Sequence, residues 1–181
     1  MHEATRPVTA EELERRPDLR RFELVEGRLV EMSPVGPEHG RVVVQLGSLL
    51  QRHLRGRRLG IVGTEIGFTL TSNPDTVRGP DLAFIRQDRL PSLRRHGFVD
   101  GSPDLAIEVL SPDDRPGEIR TKIDEYLTQG VPLVVIVDPD QRTVTLRPRG
   151  APATTLRRLD DVLDLSLVID GFRCRLEEIF E

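Results

Sequence analysis

Apolar side chains recur along the chain with two different periods, and the changes of period divide it into elements. From His39 to Leu54, residues Val42, Val43, Leu46, Leu49, Leu50 and Leu54 return every three or four positions. That spacing places them on one side of an α-helix, which the pattern predicts to end before Gly56. A second helical pattern runs through RPGEIRTKIDEYLTQG (115–130). Pro116 opens it, Gly130 stops it, and Ile119, Ile123, Tyr126 and Leu127 form its apolar stripe. Thr9 with Glu12 three places on marks a capped short helix over TAEELERR (9–16). FELVEGRLVEMS alternates around Glu26-Gly27, a hairpin signal. Strand-like runs follow at 61–70 (IVGTEIGFTL), 81–85 (DLAFI), 104–110 (DLAIEVL), 133–138 (LVVIVD) and 143–148 (TVTLRP). LAFI and LVVIV hardly alternate, which fits strands covered on both faces. The tail from Val162 alternates and then turns helical. This order predicts a mixed α/β fold, a sheet between helices preceded by a hairpin, in one domain over 1–181.

Composition narrows the setting. With 181 residues, 37% apolar and 31% charged, the chain is expected to be a soluble globular protein with a substantial core. It has no apolar run of the ~18 residues that a membrane helix needs, and MHEATRPVTAEELERR lacks the apolar centre of a signal peptide. The lone Cys174 excludes an internal disulfide and a cysteine-based zinc site. A cytoplasmic location follows as the expectation. The net charge of −4 argues against a protein that coats DNA without specificity. Local basic surface is still present in RHLRGRR (52–58) and RLPSLRRH (89–96), either a solvated helix end or loop or a place to meet phosphate.

Against this background, three charged residues stand where the pattern is apolar. Asp81 begins the strand Leu82-Ala83-Phe84-Ile85, and Glu108 lies inside LAIEVL. A carboxylate in a strand covered on both faces is costly unless a cation or several donors meet it. An ion pair with arginine would satisfy either one alone. Lys122 is the third, the one lysine among 26 strongly basic residues, at the edge of the helical stripe between Ile119 and Tyr126. An exposed lysine there would be interchangeable with arginine. A lysine turned toward the sheet offers a compact ammonium that can touch a water or a single phosphate oxygen. Two strand carboxylates can hold a hard divalent cation such as Mg²⁺ and leave places for water and phosphate. The three residues together therefore suggest metal-assisted attack on a phosphodiester.

The chain resembles the Uma-two family of bacterial endonucleases, within the restriction-endonuclease-like PD-(D/E)xK superfamily. The likeness is carried by FELVEGRLVEMSP, EHG opening a helix, GPDLAFI, SPDLAIEVLSP, RPGEIRTKIDEYLTQGVPLVVIVDP and DGFRCRLEEIF, from about Phe22 to the end. It implies a restriction-endonuclease-like mixed sheet flanked by helices and Mg²⁺- or Mn²⁺-dependent cleavage of nucleic acid, DNA foremost. Carried over, Asp81 is the acid of the PD motif and Glu108 that of the (D/E)xK motif, and these two would bind metal. The superfamily's lysine position, two after that glutamate, is Leu110 here. The resemblance places the lysine on the following helix instead, as Lys122. Glu23 in FELVEG matches an early glutamate that could extend the site. His39, at the helix start, could assist metal or phosphate binding. Asp104, in the second Pro-Asp pair, is expected to start a strand, and Tyr126 to belong to the core. Apolar strands near the C-terminus could pair into a homodimer, and cutting two strands benefits from a twofold axis, but the sequence leaves the oligomeric state open. The alternatives are an inactive interaction module on the same fold, its acids capped by arginine, and a hydrolase of another phosphoester.

Overall fold

The computed structural model describes residues 6–94 and 96–181; Arg95 of the RLPSLRRH stretch and the first five residues, on which part of the signal-peptide expectation rests, lie outside them. The chain opens with helix α1 (Ala10–Arg15), capped by Thr9 and Glu12 as the sequence predicts. Strands β1 (Phe22–Val25) and β2 (Arg28–Glu31) form the hairpin. Its turn needs positive φ at both Glu26 (48°) and Gly27 (75°), the condition of a type I′ turn. Helix α2 (Pro37–Leu54) follows, then β3 (Gly60–Gly63), β4 (Phe68–Thr71), β5 (Thr76–Arg78), β6 (Leu82–Arg86), β7 (Val99–Asp100) and β8 (Leu105–Val109). Helix α3 (Pro116–Thr128) leads to β9 (Leu133–Asp138), β10 (Thr143–Pro148), β11 (Thr154–Leu156), β12 (Val162–Asp164), β13 (Arg173–Arg175) and α4 (Glu177–Phe180).

A six-stranded sheet, in the order β11-β10-β9-β8-β6-β3, carries the core. β8 and β9 run parallel, joined by the α3 crossover, while β6 pairs antiparallel with β8. Alternate residues of these strands enter different clusters. Leu82, Phe84, Leu105, Ile107, Val135 and Val137 pack with Val42, Leu46 and Leu50 of α2 and with the C-terminal tail. Ala83, Ile85, Ala106, Val134 and Ile136 pack with Ile123 and Tyr126 of α3. Both faces are thus apolar, which is why these strands read as near-continuous hydrophobic runs.

The run 61–70, expected as one strand, is two. Its first part, β3, is an edge of the six-stranded sheet. Its second part, β4, belongs to another sheet ordered β2-β1-β5-β4-β7. The break passes through Glu65, whose φ of 53° no extended strand tolerates. Strand β5 was not legible from the pattern, since three residues are too few to show a period. It pairs with both β1 and β4 and brings the hairpin sheet against α3. No helix among the described residues is long and apolar enough to cross a membrane.

Candidate active site

Strand pairing sets the two sheet acids together. Leu82 pairs with Ile107, so one step further along antiparallel strands brings Asp81 opposite Glu108. Asp81 Oδ2 accepts a hydrogen bond from the backbone N–H of Val109 at 2.6 Å, which holds its carboxylate at the end of β8. Its Oδ1 lies 3.2 Å from His39 Nε2, in the first turn of α2. Glu108 is 5% exposed. Side chains alternate along β8, so Glu108 shares the α3 face with Ala106.

Helix α3 supplies what meets Glu108. Lys122 and Tyr126 are one turn apart and reach the same carboxylate. Lys122 Nζ stands 3.0 Å from Glu108, and Tyr126 Oη donates to Glu108 Oε1 at 3.0 Å. The ammonium also lies 3.1 Å from Glu23 Oε1 and 3.4 Å from the Gly79 carbonyl oxygen. Its side chain is 15% exposed, so it does not project into bulk solvent. Glu23, on β1, further accepts from Gly79 N–H at 2.9 Å and from Arg78 Nη1 at 2.8 Å. Arg78 Nε donates to Glu125 Oε2 at 2.7 Å.

Electrostatics follow from this burial. Burial, with Asp81 and Glu23 nearby, pushes the Glu108 carboxyl up to about 7 against the pull of Lys122. Burial also disfavours charge on Lys122, but Glu108 and Glu23 outweigh it and hold the ammonium above its ordinary value. Glu23, though buried, is kept below the usual carboxylate range by Lys122 and Arg78. The hydrogen bond to Asp81 raises His39. His39 Nδ1 is buried and pairs with nothing among the described residues.

The residues singled out from the sequence, Glu23, His39, Asp81, Glu108 and Lys122, therefore stand in one cluster. Sequence reading missed Arg78 and Glu125, and it took Tyr126 as plain core. Tyr126 is fully buried, yet its hydroxyl is part of the cluster. The signals that could have found these were position alone: Arg78 three residues before Asp81, Glu125 and Tyr126 three and four after Lys122. Asp104 does stand just before β8, and its carboxylate is taken up by Arg86 and Arg89. Leu110, two positions after Glu108, packs with Ile119 and Ile123 of α3. It lines an open hollow of about 440 Å³ with Ser111, Ile119, Ile123 and Asp138, and the acid–lysine cluster is not part of that lining.

The donor set fits a hard divalent cation. Among the described residues, Asp81 Oδ1 meets His39 and Glu108 Oε2 meets Lys122, so each keeps acceptor capacity. Burial first, and then the facing Asp81 carboxylate, raise the Glu108 pKa, and a cation between the two acids would relieve that cost. No trio of His, Cys, Asp or Glu side chains is gathered for a metal among the described residues. Two carboxylates with water and phosphate completing the shell is the arrangement Mg²⁺ accepts, whereas zinc takes three or four protein ligands.

Comparison with known proteins bears on the whole chain. A solved structure, described as a "putative nuclease belonging to DUF820" from Anabaena variabilis, matches with a TM-score of 0.82. The match covers 96% of this chain and 98% of that one at 20% identity, so it speaks for the shared fold. No curated protein matches the chain. The family model Uma2, described as "Putative restriction endonuclease", matches residues 10–177. With the paired acids, the helix-borne lysine and a match of that extent, the chain belongs to the Uma2 family and has its restriction-endonuclease-like fold.

Proposed function

We propose that the chain is a metal-dependent endonuclease that hydrolyses phosphodiester bonds of nucleic acid, DNA foremost. The observation that carries this reading is the facing pair Asp81 and Glu108 with the Lys122 ammonium 3.0 Å from Glu108. Asp81 and Glu108 would hold Mg²⁺ or Mn²⁺, which when bound supplies Lewis acidity toward phosphate oxygen and water. Lys122 stays protonated because two carboxylates hold it so. It therefore acts as a donor, orienting the attacking water and stabilising charge on the phosphate, rather than as a base. Hydrolysis adds the water oxygen to phosphorus and breaks the bond to the leaving oxygen, which takes up a proton. His39, protonated more readily beside Asp81, adds positive charge where phosphate would enter near the start of α2. Glu23 completes the seat of the ammonium.

The arginine pattern favours this reading over an inactive interaction module. Asp104 is closed off by two arginines. Arg78 goes to Glu23 and Glu125, leaving Asp81 and Glu108 without an arginine partner among the described residues. The test is cleavage of single- and double-stranded DNA with Mg²⁺ or Mn²⁺ by wild type, Lys122→Ala and Asp81→Ala. Each substitution is expected to lower the rate by on the order of 10²–10³-fold. Cleavage that survives both substitutions would assign the activity to another site or to a contaminant.

A further inference from the structure

One ammonium serves two buried carboxylates in this cluster, and something must decide how it is shared. Lys122 Nζ lies 3.0 Å from Glu108 and 3.1 Å from Glu23, with its third donor directed at the Gly79 carbonyl oxygen. If Glu23 had no other cation, it would compete for Lys122 on equal terms. Its second oxygen is instead taken by Arg78, 2.8 Å away, in a pair whose side chains are 8% and 9% exposed. At that burial salt and water screen little, so the charge of Arg78 acts at nearly full strength.

We infer that Arg78 is a positioning residue that neutralises Glu23 and thereby leaves the Lys122 ammonium directed at Glu108. This deepens the nuclease reading and rests on it for its functional consequence, while the geometry stands by itself. Arginine suits the task because its fork reaches Glu23 on β1 through Nη1 and Glu125 on α3 through Nε, at 2.8 and 2.7 Å. A lysine at the end of β5 offers one point charge and could not span both. The placement is reinforced by the next residue, since Gly79 N–H binds Glu23 and Gly79 C=O receives Lys122. The end of β5 thus fixes the acid and the ammonium together.

Because Lys122 is the sole lysine, protein labelled with ¹³C,¹⁵N-lysine gives a single side-chain signal, read without metal or substrate. In Arg78→Met, shown folded by circular dichroism, that signal is expected to shift as the ammonium moves toward Glu23. In Arg78→Met/Glu23→Gln it should return toward the wild-type position, because the competing charge is gone. Glu125→Gln keeps the Arg78–Glu23 pair and should leave the signal in place. Should Arg78→Met fail to fold, Arg78→Gln takes its place in the same comparison. Steady-state cleavage by Arg78→Met should show kcat reduced about tenfold or more with KM within about twofold. An unmoved lysine signal in folded Arg78→Met overturns the proposal. So does a Glu125→Gln shift as large as that of Arg78→Met, which would make Arg78 only a tie between sheet and helix. Absence of cleavage by the wild type would count against the nuclease reading, while the lysine signal still decides the role of Arg78.

Discussion

Glu108 shows how a single side chain can work against the fold that holds it. It is a strand carboxylate with apolar neighbours, and burial with Asp81 and Glu23 pushes its pKa up to about 7. An unfolded chain returns it to about 4.3. An acid raised on folding binds protons more tightly in the native state. Its contribution to stability is therefore full below about pH 4 and is lost as pH rises through 7. With EDTA present, thermal melts should show wild-type stability falling between about pH 5 and 8. His39, raised by Asp81, adds a fall of the same sign, so the difference between wild type and Glu108→Gln isolates the glutamate. Glu108→Gln should flatten that fall and be neutral or stabilising at pH 8; a large loss there would instead mark a structural ion pair. Asp81, Glu108 and Lys122 were legible because each breaks an apolar pattern. Arg78 was not, because arginine is common in this chain and a single one carries no signal.

At the level of elements, α2 does two jobs with opposite ends. Leu46 and Leu50 are fully buried against the sheet, and His39 in its first turn meets Asp81. Leu46→Ala should cost about 2–5 kcal/mol in urea unfolding, since the cavity is lined by helix and sheet that cannot both collapse. A loss well under 1 kcal/mol would mean that the helix packs loosely. The helix was plain in the sequence because its stripe repeats over several turns. The division of 61–70 was not, because both halves are apolar and β-branched. Which sheet each half joins depends on β6 and β5, not on residues 61–70 themselves.

Across the whole molecule, the cluster joins both larger sheets and two helices. Glu23 and Arg78 come from the five-stranded sheet, Glu108 from the six-stranded one, Asp81 from just before β6, Lys122 from α3 and His39 from α2. A cation bridging Asp81 and Glu108 would bind the native state alone and stabilise it by mass action. Mn²⁺ should therefore raise the melting temperature of wild type, more at pH 8 than at pH 6, because Glu108 must release its proton first. Asp81→Ala should abolish the rise. An equal rise in wild type and Asp81→Ala would place the ion elsewhere.

Local sequence is enough to specify the helices, the hairpin, the doubly covered strands and the misfit of Asp81, Glu108 and Lys122 among apolar neighbours. These are written in local periodicity and in its interruptions, which a few neighbouring positions suffice to express. Tertiary structure alone decided that Lys122 is shared between Glu108 and Glu23, and that Arg78 and Tyr126 stand around them. Arg78 meets Glu23 across 55 positions and Glu125 across 47. Pairings at that distance are set by which strands lie side by side, and no period along the chain records them.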